Sequence, residues 1–120
     1  MRIKRTKLDD LMSRYIRHRD GWQCQRCGNS FSTGARGLHC HHFYTRRKLT
    51  VRWDPENCIS VCHGCHSWFH GNPIESVHFM KKRLGDDKLE ALRIRANTVG
   101  KKPDLELIHL DLENRLRGVK

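Results

Sequence analysis

The amino-acid sequence predicts a small α+β domain that is braced by a bound metal ion. Its 120 residues are enough for one domain, and only 37% of them are hydrophobic. A core of that size often needs a metal or disulfides for stability, and six Cys and nine His provide ligands. Helical periodicity near both ends of the chain encloses a shorter strand-like region.

Two Cys-x-x-Cys pairs, Cys24/Cys27 and Cys62/Cys65, predict that this metal is a structural zinc ion. Each pair places two thiolates on a tight turn, and together they can complete a tetrahedral shell. The N-terminal segment lacks the pattern of a signal peptide, so we expect a cytoplasmic protein with metal-binding cysteines. Disulfides or plain buried thiols are the alternative. Two further cysteines without such a partner are interpreted as small buried hydrophobic residues: Cys40 and Cys58.

Helices are predicted on both sides of the strand-like region. Thr6 and Asp9 form a capping-box pattern, which indicates a helix over 7–19 that stops near Gly21. The remaining predictions are a strand over Leu38–Tyr44, a second alternation over Leu49–Trp53, a turn over Asp54–Asn57, and helices over Cys65–His70, 74–84, 87–97 and 104–117. The apolar stripe of the last helix is expected to pack on the domain: Leu105, Ile108, Leu112 and Leu116.

The charge of the chain indicates a polyanionic partner and no membrane. The formal net charge is +11, and no segment approaches the roughly 20 apolar residues of a spanning helix. The basic surplus falls mainly on the first sixty residues. A cluster after the His pair is predicted to neutralise DNA phosphates, with a solvated basic loop as the alternative: Arg46, Arg47, Lys48 and Arg52.

Four histidines are spaced as ligands and base of a catalytic metal site. His66 and His70 are separated by four residues, so on a helix they share a face and can hold one cation. His41 and His42 are adjacent, so on a strand they point to opposite faces and only one can join that cation. Three histidines and an open position are typical of catalytic sites, and the fourth imidazole can act as a general base near neutral pH.

Residues 22–72 resemble the HNH (His-Asn-His, ββα-metal) nuclease family. The resemblance rests on the CQRCG knuckle, the LHCHH strand, Asn57 in DPENC, and CHGCHSWFH. Their spacing is similar to that of the nuclease colicins, and the paired knuckles are similar to those of phage and bacterial HNH proteins. The resemblance implies an HNH core over 22–72, with a basic tail and helix over 1–21 and a helical extension of the same domain over 73–120. It also implies a bacterial cell or a phage-infected host as the setting.

The same resemblance implies a metal-dependent DNA endonuclease that leaves 5′-phosphate and 3′-hydroxyl ends. His42 is then the general base, and His41, His66 and His70 hold one divalent cation. Asn57 ties the loop between the strands to the strand that carries His42. Because many relatives have Asp where this chain has His41, the catalytic ion stays open among Mg²⁺, Mn²⁺, Ni²⁺ and Zn²⁺.

Two other functions fit part of the sequence. A non-catalytic, zinc-ribbon-like module that binds DNA or protein would account for the cysteines and the charge, but not for the spacing of the histidines and Asn57. A nuclease that is active only within a phage packaging or recombination complex would use the C-terminal helices for docking. DNA is therefore the expected partner, with a dimer or phage DNA-processing proteins as further partners.

Overall fold

Five helices and a two-stranded antiparallel sheet make up the α+β fold of residues 3–119, the part of the chain that the computed structural model describes. The elements are α1 (Lys7–Arg19), β1 (Leu38–His42), β2 (Cys58–Cys62), α2 (His63–Gly71), α3 (Pro73–Leu84), α4 (Asp86–Ala96) and α5 (Leu105–Val119), with a short 3-10 turn over Pro55–Asn57 before β2. None of the helices within these residues is both long and apolar enough to cross a bilayer.

Helix α1 begins and ends as the sequence predicts. The Thr6 hydroxyl accepts the backbone N–H of Asp9, and the Asp9 carboxylate accepts the backbone N–H of Thr6, which satisfies two otherwise unpaired groups of the first turn. After Arg19, Gly21 takes a φ of +66°, which a residue with a side chain rarely adopts. The helix therefore leads directly into the turn that carries Cys24.

The second strand lies later in the chain than predicted. The register of the hairpin pairs Leu38 with Cys62 and His42 with Cys58, whereas residues 49–53 form turns. Apolar and polar residues alternate in 49–53 because successive side chains of this loop contact two different helices. Val51 packs with Leu92 and Ala96 of α4, while the next side chain, Arg52, points to α1.

The two faces of the hairpin are covered by different helices. Ile59 and Val61 project from β2 toward α2 and pack with Phe69. Cys58 points to the other face, where α1 and α5 pack on each other and α1 also contacts both strands. Adjacent residues of β1 are therefore presented to two separate environments.

The C-terminal half consists of helices whose bounds lie within a few residues of the predicted ones. Of the apolar stripe of α5, Leu112 and Leu116 are buried against α1 and Ile108 is partly buried, which confirms that the stripe packs on the domain. Leu105 does not take part, because 53% of it is exposed at the start of the helix. The buried stripe holds α1 against the sheet.

Candidate functional site

Helix α2 contributes residues to two groups of potential metal ligands. The first, the four-cysteine cluster, consists of Cys24, Cys27, Cys62 and Cys65, whose sulfur atoms all lie within 4.8 Å of one another. The Sγ atoms of Cys27 and Cys62 are 3.7 Å apart. A tetrahedral zinc ion with bonds of about 2.3 Å separates its sulfur ligands by about 3.8 Å. The cluster could therefore hold a metal such as zinc, and the six cysteines of the chain are free thiols.

The backbone positions the cysteines of this cluster and donates hydrogen bonds to their sulfur atoms. Gly28 follows the first pair with a φ of +82°, which lets the chain turn around Cys24. Cys62 caps the N-terminus of α2 and accepts the backbone N–H of Cys65. Burial raises the pKa of the Cys24 thiol, but backbone N–H groups, including those of Cys27 and Cys62, outweigh it and lower that pKa to about 6. Burial raises the pKa of the Cys65 thiol to about 12, so the backbone favours a thiolate at Cys24 but does not ionise the whole cluster.

The second group, the three-histidine cluster, consists of His41, His66 and His70. Each offers a ring nitrogen, and these nitrogens lie within 4.8 Å of one another. His66 and His70 occupy one face of α2, and His41 reaches them from β1, with its ring stacked on Phe69 at a centroid distance of 4.7 Å. His41 is 5% exposed, and its Nδ1 atom has no hydrogen-bond partner. A buried imidazole nitrogen without a partner is what a metal ligand would leave in a structure without ions.

The electrostatics of the three-histidine cluster suit a cation ligand set. Burial, followed by the proximity of the other rings, lowers the pKa of His41 to about 3 and that of His66 to about 4. Both rings are therefore neutral at physiological pH, which is the form that coordinates metals. The donor set fits one divalent cation, and three protein ligands leave coordination positions for water or substrate.

His42 opens onto the same cleft as the three-histidine cluster. The cleft has a volume of about 340 Å³, and its lining includes His41, His42, His66 and His70. The Nε2 atom of His42 lies 2.9 Å from the carbonyl oxygen of Arg52. Since a carbonyl only accepts, Nε2 carries the proton and Nδ1 has a free lone pair. Burial outweighs this hydrogen bond and lowers the pKa of His42.

Asn57 holds the loop that separates the two strands. Its amide oxygen accepts the backbone N–H of Tyr44, and its amide nitrogen donates to the carbonyl oxygens of Tyr44 and Val51. The side chain is fully buried, so these bonds are shielded from water. They join the end of the loop to the segment just after His42, which is the contact that the family resemblance implies for Asn57.

The four basic residues predicted to contact DNA have different surroundings. Arg46 lines the cleft, and its buried Nη1 atom has no hydrogen-bond partner. Arg47 and Lys48 are exposed on the loop. The prediction for Arg52 is wrong: its side chain is 8% exposed, and its guanidinium donates two hydrogen bonds to the Asp9 carboxylate. A buried guanidinium in an ion pair does not reach a phosphate.

Two residues near the cleft were missed or barely indicated by the sequence. The Nδ1 atom of His39 lies 3.1 Å from Nδ1 of His66, which leaves Nε2 of His66 for a metal. The signal for His39 is its position two residues before His41, on the same strand face. Arg5 lines the cleft from the N-terminal segment, and no local pattern brings that segment to β1.

The described residues form a small α+β protein in which a four-cysteine cluster could hold a metal such as zinc and a three-histidine cluster could hold a second cation. Scans against protein-family models, curated proteins and solved structures found nothing that matches this chain.

Proposed function

We propose that this protein is a metal-dependent HNH endonuclease that hydrolyses DNA phosphodiester bonds to 5′-phosphate and 3′-hydroxyl ends. The observation that carries the proposal is that a possible cation site and a possible general base line the same cleft. Three imidazole nitrogens lie close enough to share a cation, and a fourth imidazole, on His42, lines the same cleft without belonging to that ligand set. A cation and a general base at the reacting phosphate each lower the barrier to phosphodiester hydrolysis.

The ligands of the cation would be His41, His66 and His70. A divalent cation bound there supplies electrostatic stabilisation of the charge that develops on the phosphate and on the leaving 3′ oxygen. His39 is a positioning residue, because its contact with Nδ1 of His66 fixes the orientation of that ring. The all-imidazole set also favours borderline ions such as Ni²⁺ or Zn²⁺ over Mg²⁺.

His42 would take the proton of the attacking water. Its Nε2–H donates to the Arg52 carbonyl, so the lone pair on Nδ1 is the proton acceptor. Because burial lowers its pKa, the ring is neutral and ready to accept a proton at physiological pH. Asn57 positions this base indirectly, through its hydrogen bonds to Tyr44 and Val51.

The charge of the chain supports DNA as the substrate. The net charge is +11, and the cleft itself contains Arg46, whose Nη1 atom is without a partner, and Arg5. A guanidinium in this position would bind a phosphate of the strand that passes the metal. The four-cysteine cluster, as a structural zinc site, would hold β2 and the start of α2 in place.

The direct test is incubation of the purified protein with supercoiled plasmid and a panel of divalent cations, with EDTA as the metal-free control. We expect nicking that requires a cation. His42→Ala should reduce the rate by about 10²–10⁴-fold, the range for loss of a general base, while zinc content and thermal unfolding stay unchanged.

The matched control is His78→Ala, which removes an exposed imidazole of α3 and should cleave like the wild type. A His42→Ala variant that nicks at the normal rate would refute the assignment of the base. A wild-type protein that binds DNA without cleaving it under any cation would favour the zinc-ribbon-like binding module.

A further inference from the structure

The face of the hairpin opposite the three-histidine cluster carries another group of metal ligands. It consists of Cys40, His42 and Cys58, whose sulfur atoms and one ring nitrogen lie within 4.8 Å of one another. Cys40 and His42 are two residues apart on β1 and so share a face, and the register places Cys58 directly across from His42. The proposed hydrolysis uses the imidazole of this group but neither thiol.

This group can be reached from the cleft. Cys40 and His42 both line it, whereas Cys58 is 1% exposed and packs among Leu11, Ile16 and other apolar residues of α1 and α5. An ion in the cleft would meet Cys40 and His42 first, and Cys58 would close the ligand set from behind. No change of strand register is needed, because the ligand atoms already converge.

The two faces of the hairpin differ in chemical softness. Thiolates select soft and borderline ions such as Cd²⁺, Co²⁺ and Zn²⁺, whereas a site without sulfur also accepts harder ions such as Mn²⁺. The group with two sulfurs and one imidazole thus prefers a thiophilic ion. The ion at the three-histidine cluster, which would support hydrolysis, does not need to be thiophilic. The two sites can be filled by different metals.

His42 can serve only one of these purposes at a time. Its Nε2–H is engaged by the Arg52 carbonyl, so Nδ1 is the atom that it can offer either to a water proton or to a metal. We propose that Cys40, His42 and Cys58 form an inhibitory site for a thiophilic divalent cation, which occupies the lone pair that the nuclease needs as its base. On binding, two metal–sulfur bonds and one metal–nitrogen bond form, and the two thiol protons leave to solvent.

Binding at this site is tested first by spectroscopy, which does not depend on the proposed nuclease function. Protein whose four-cysteine cluster is loaded with Zn²⁺ is titrated with Co²⁺ under reducing conditions, since Co²⁺ displaces Zn²⁺ from thiolates poorly. We expect a thiolate-to-cobalt charge-transfer band, which the three-histidine cluster cannot produce because it has no sulfur. Zinc content is measured after the titration.

Variants assign the band to its ligands. Cys40→Ser replaces a half-buried thiol and should weaken the band, and Cys40→Ser/Cys58→Ala should remove it. His66→Ala/His70→Ala should leave it unchanged. If the wild type gives no band, or if the band survives in Cys40→Ser/Cys58→Ala, the site is refuted. Should the double variant fail to fold, Cys40→Ala alone must still reduce the band.

Inhibition, the part that rests on the proposed function, is then measured as Mn²⁺-supported nicking with increasing Co²⁺. Each variant is compared with its own rate without Co²⁺. We expect Co²⁺ to inhibit the wild type at the concentrations that develop the band and to inhibit Cys40→Ser much less. A band without any nicking refutes the nuclease and the inhibition but upholds the metal site. Nicking that persists when the band is complete refutes inhibition alone.

Discussion

The four-cysteine cluster and the three-histidine cluster share helix α2 but differ in their number of ligands and in whether they face a cleft. The first has four ligands, which could complete a tetrahedral shell and would then leave no position for substrate. The second has three ligands and faces a cleft of about 340 Å³. Under the proposed function, the number of ligands and the presence of a cleft distinguish a site that would stabilise the fold from one that would support chemistry.

The position of the three-histidine cluster depends on the four-cysteine cluster. Cys62 caps α2 and Cys65 lies in its first turn, whereas His66 and His70 follow on the same helix. A metal at the cysteines thus fixes the start of the helix that presents the histidines.

The largest effect is expected from Cys62→Ser. The loss of one thiolate should release the metal from the four-cysteine cluster, and binding of a structural zinc ion contributes on the order of 10 kcal/mol to folding in small domains. The variant should be largely unfolded by circular dichroism and contain little zinc. His66→Ala should instead fold like the wild type and lose only the second metal.

The control on the same helix is Ser67→Ala, which changes an exposed side chain that belongs to neither cluster. It should keep both the fold and the metals. If Cys62→Ser melts like the wild type, or if His66→Ala unfolds the domain, the division of purpose between the two clusters is wrong.

Arg52→Ala should lower the free energy of unfolding by less than Cys62→Ser does, but still by several kcal/mol. It would leave the Asp9 carboxylate buried without its partner, and breaking a buried pair costs about 3–5 kcal/mol. Burial raises the pKa of Asp9, but hydrogen bonds from Arg52 and Thr6 outweigh it and lower that pKa to about 2. Asp9 therefore stays ionised in the folded protein at pH values below its unfolded pKa. The pair contributes fully above about pH 5, and its contribution is lost as the pH falls from there toward 2.

Urea unfolding at several pH values measures this effect. The difference between the wild type and Arg52→Ala should be constant between about pH 5 and pH 8. Arg36→Ala, at an exposed loop position, is the control and should change the unfolding free energy by less than about 0.5 kcal/mol. An Arg52→Ala variant as stable as this control would mean that the ion pair does not hold the loop to α1.

Arg52 also shows what the sequence could not reveal. The helices and both cysteine pairs were predictable because their signals are local: a capping box, a stop at Gly21, or two ligands three residues apart. The convergence of His41 with His66 was predictable only through the resemblance. Whether an arginine in a loop faces solvent depends on a carboxylate 43 residues away, and the same pairing gives 49–53 the false appearance of a strand.

A smaller effect, on metal affinity rather than on folding, is expected from changing His39, which contacts the three-histidine cluster. His39→Ala removes the group beside Nδ1 of His66, and loss of such an outer contact typically lowers metal affinity by about 10–100-fold. Isothermal titration of zinc-loaded protein with Mn²⁺ should show this loss, while the melting temperature stays that of the wild type. His39→Gln, which keeps a hydrogen-bonding group, should recover part of the affinity. An unchanged affinity in His39→Ala would show that the contact does not position the ligand.

The smallest effect is expected from Arg46→Ala, which tests whether the cleft binds a phosphate. Its Nη1 atom is buried without a partner, so its removal should not destabilise the fold as the loss of Arg52 does. In the His42→Ala background, where DNA is bound without cleavage, the slope of log affinity against log salt should fall by about 1, the loss of one phosphate contact. Arg36→Ala in the same background is the control. An unchanged slope would mean that Arg46 does not contact a DNA phosphate in this cleft. The proposed contrast between Arg52, which stabilises the fold, and Arg46, which binds a phosphate, would then be wrong.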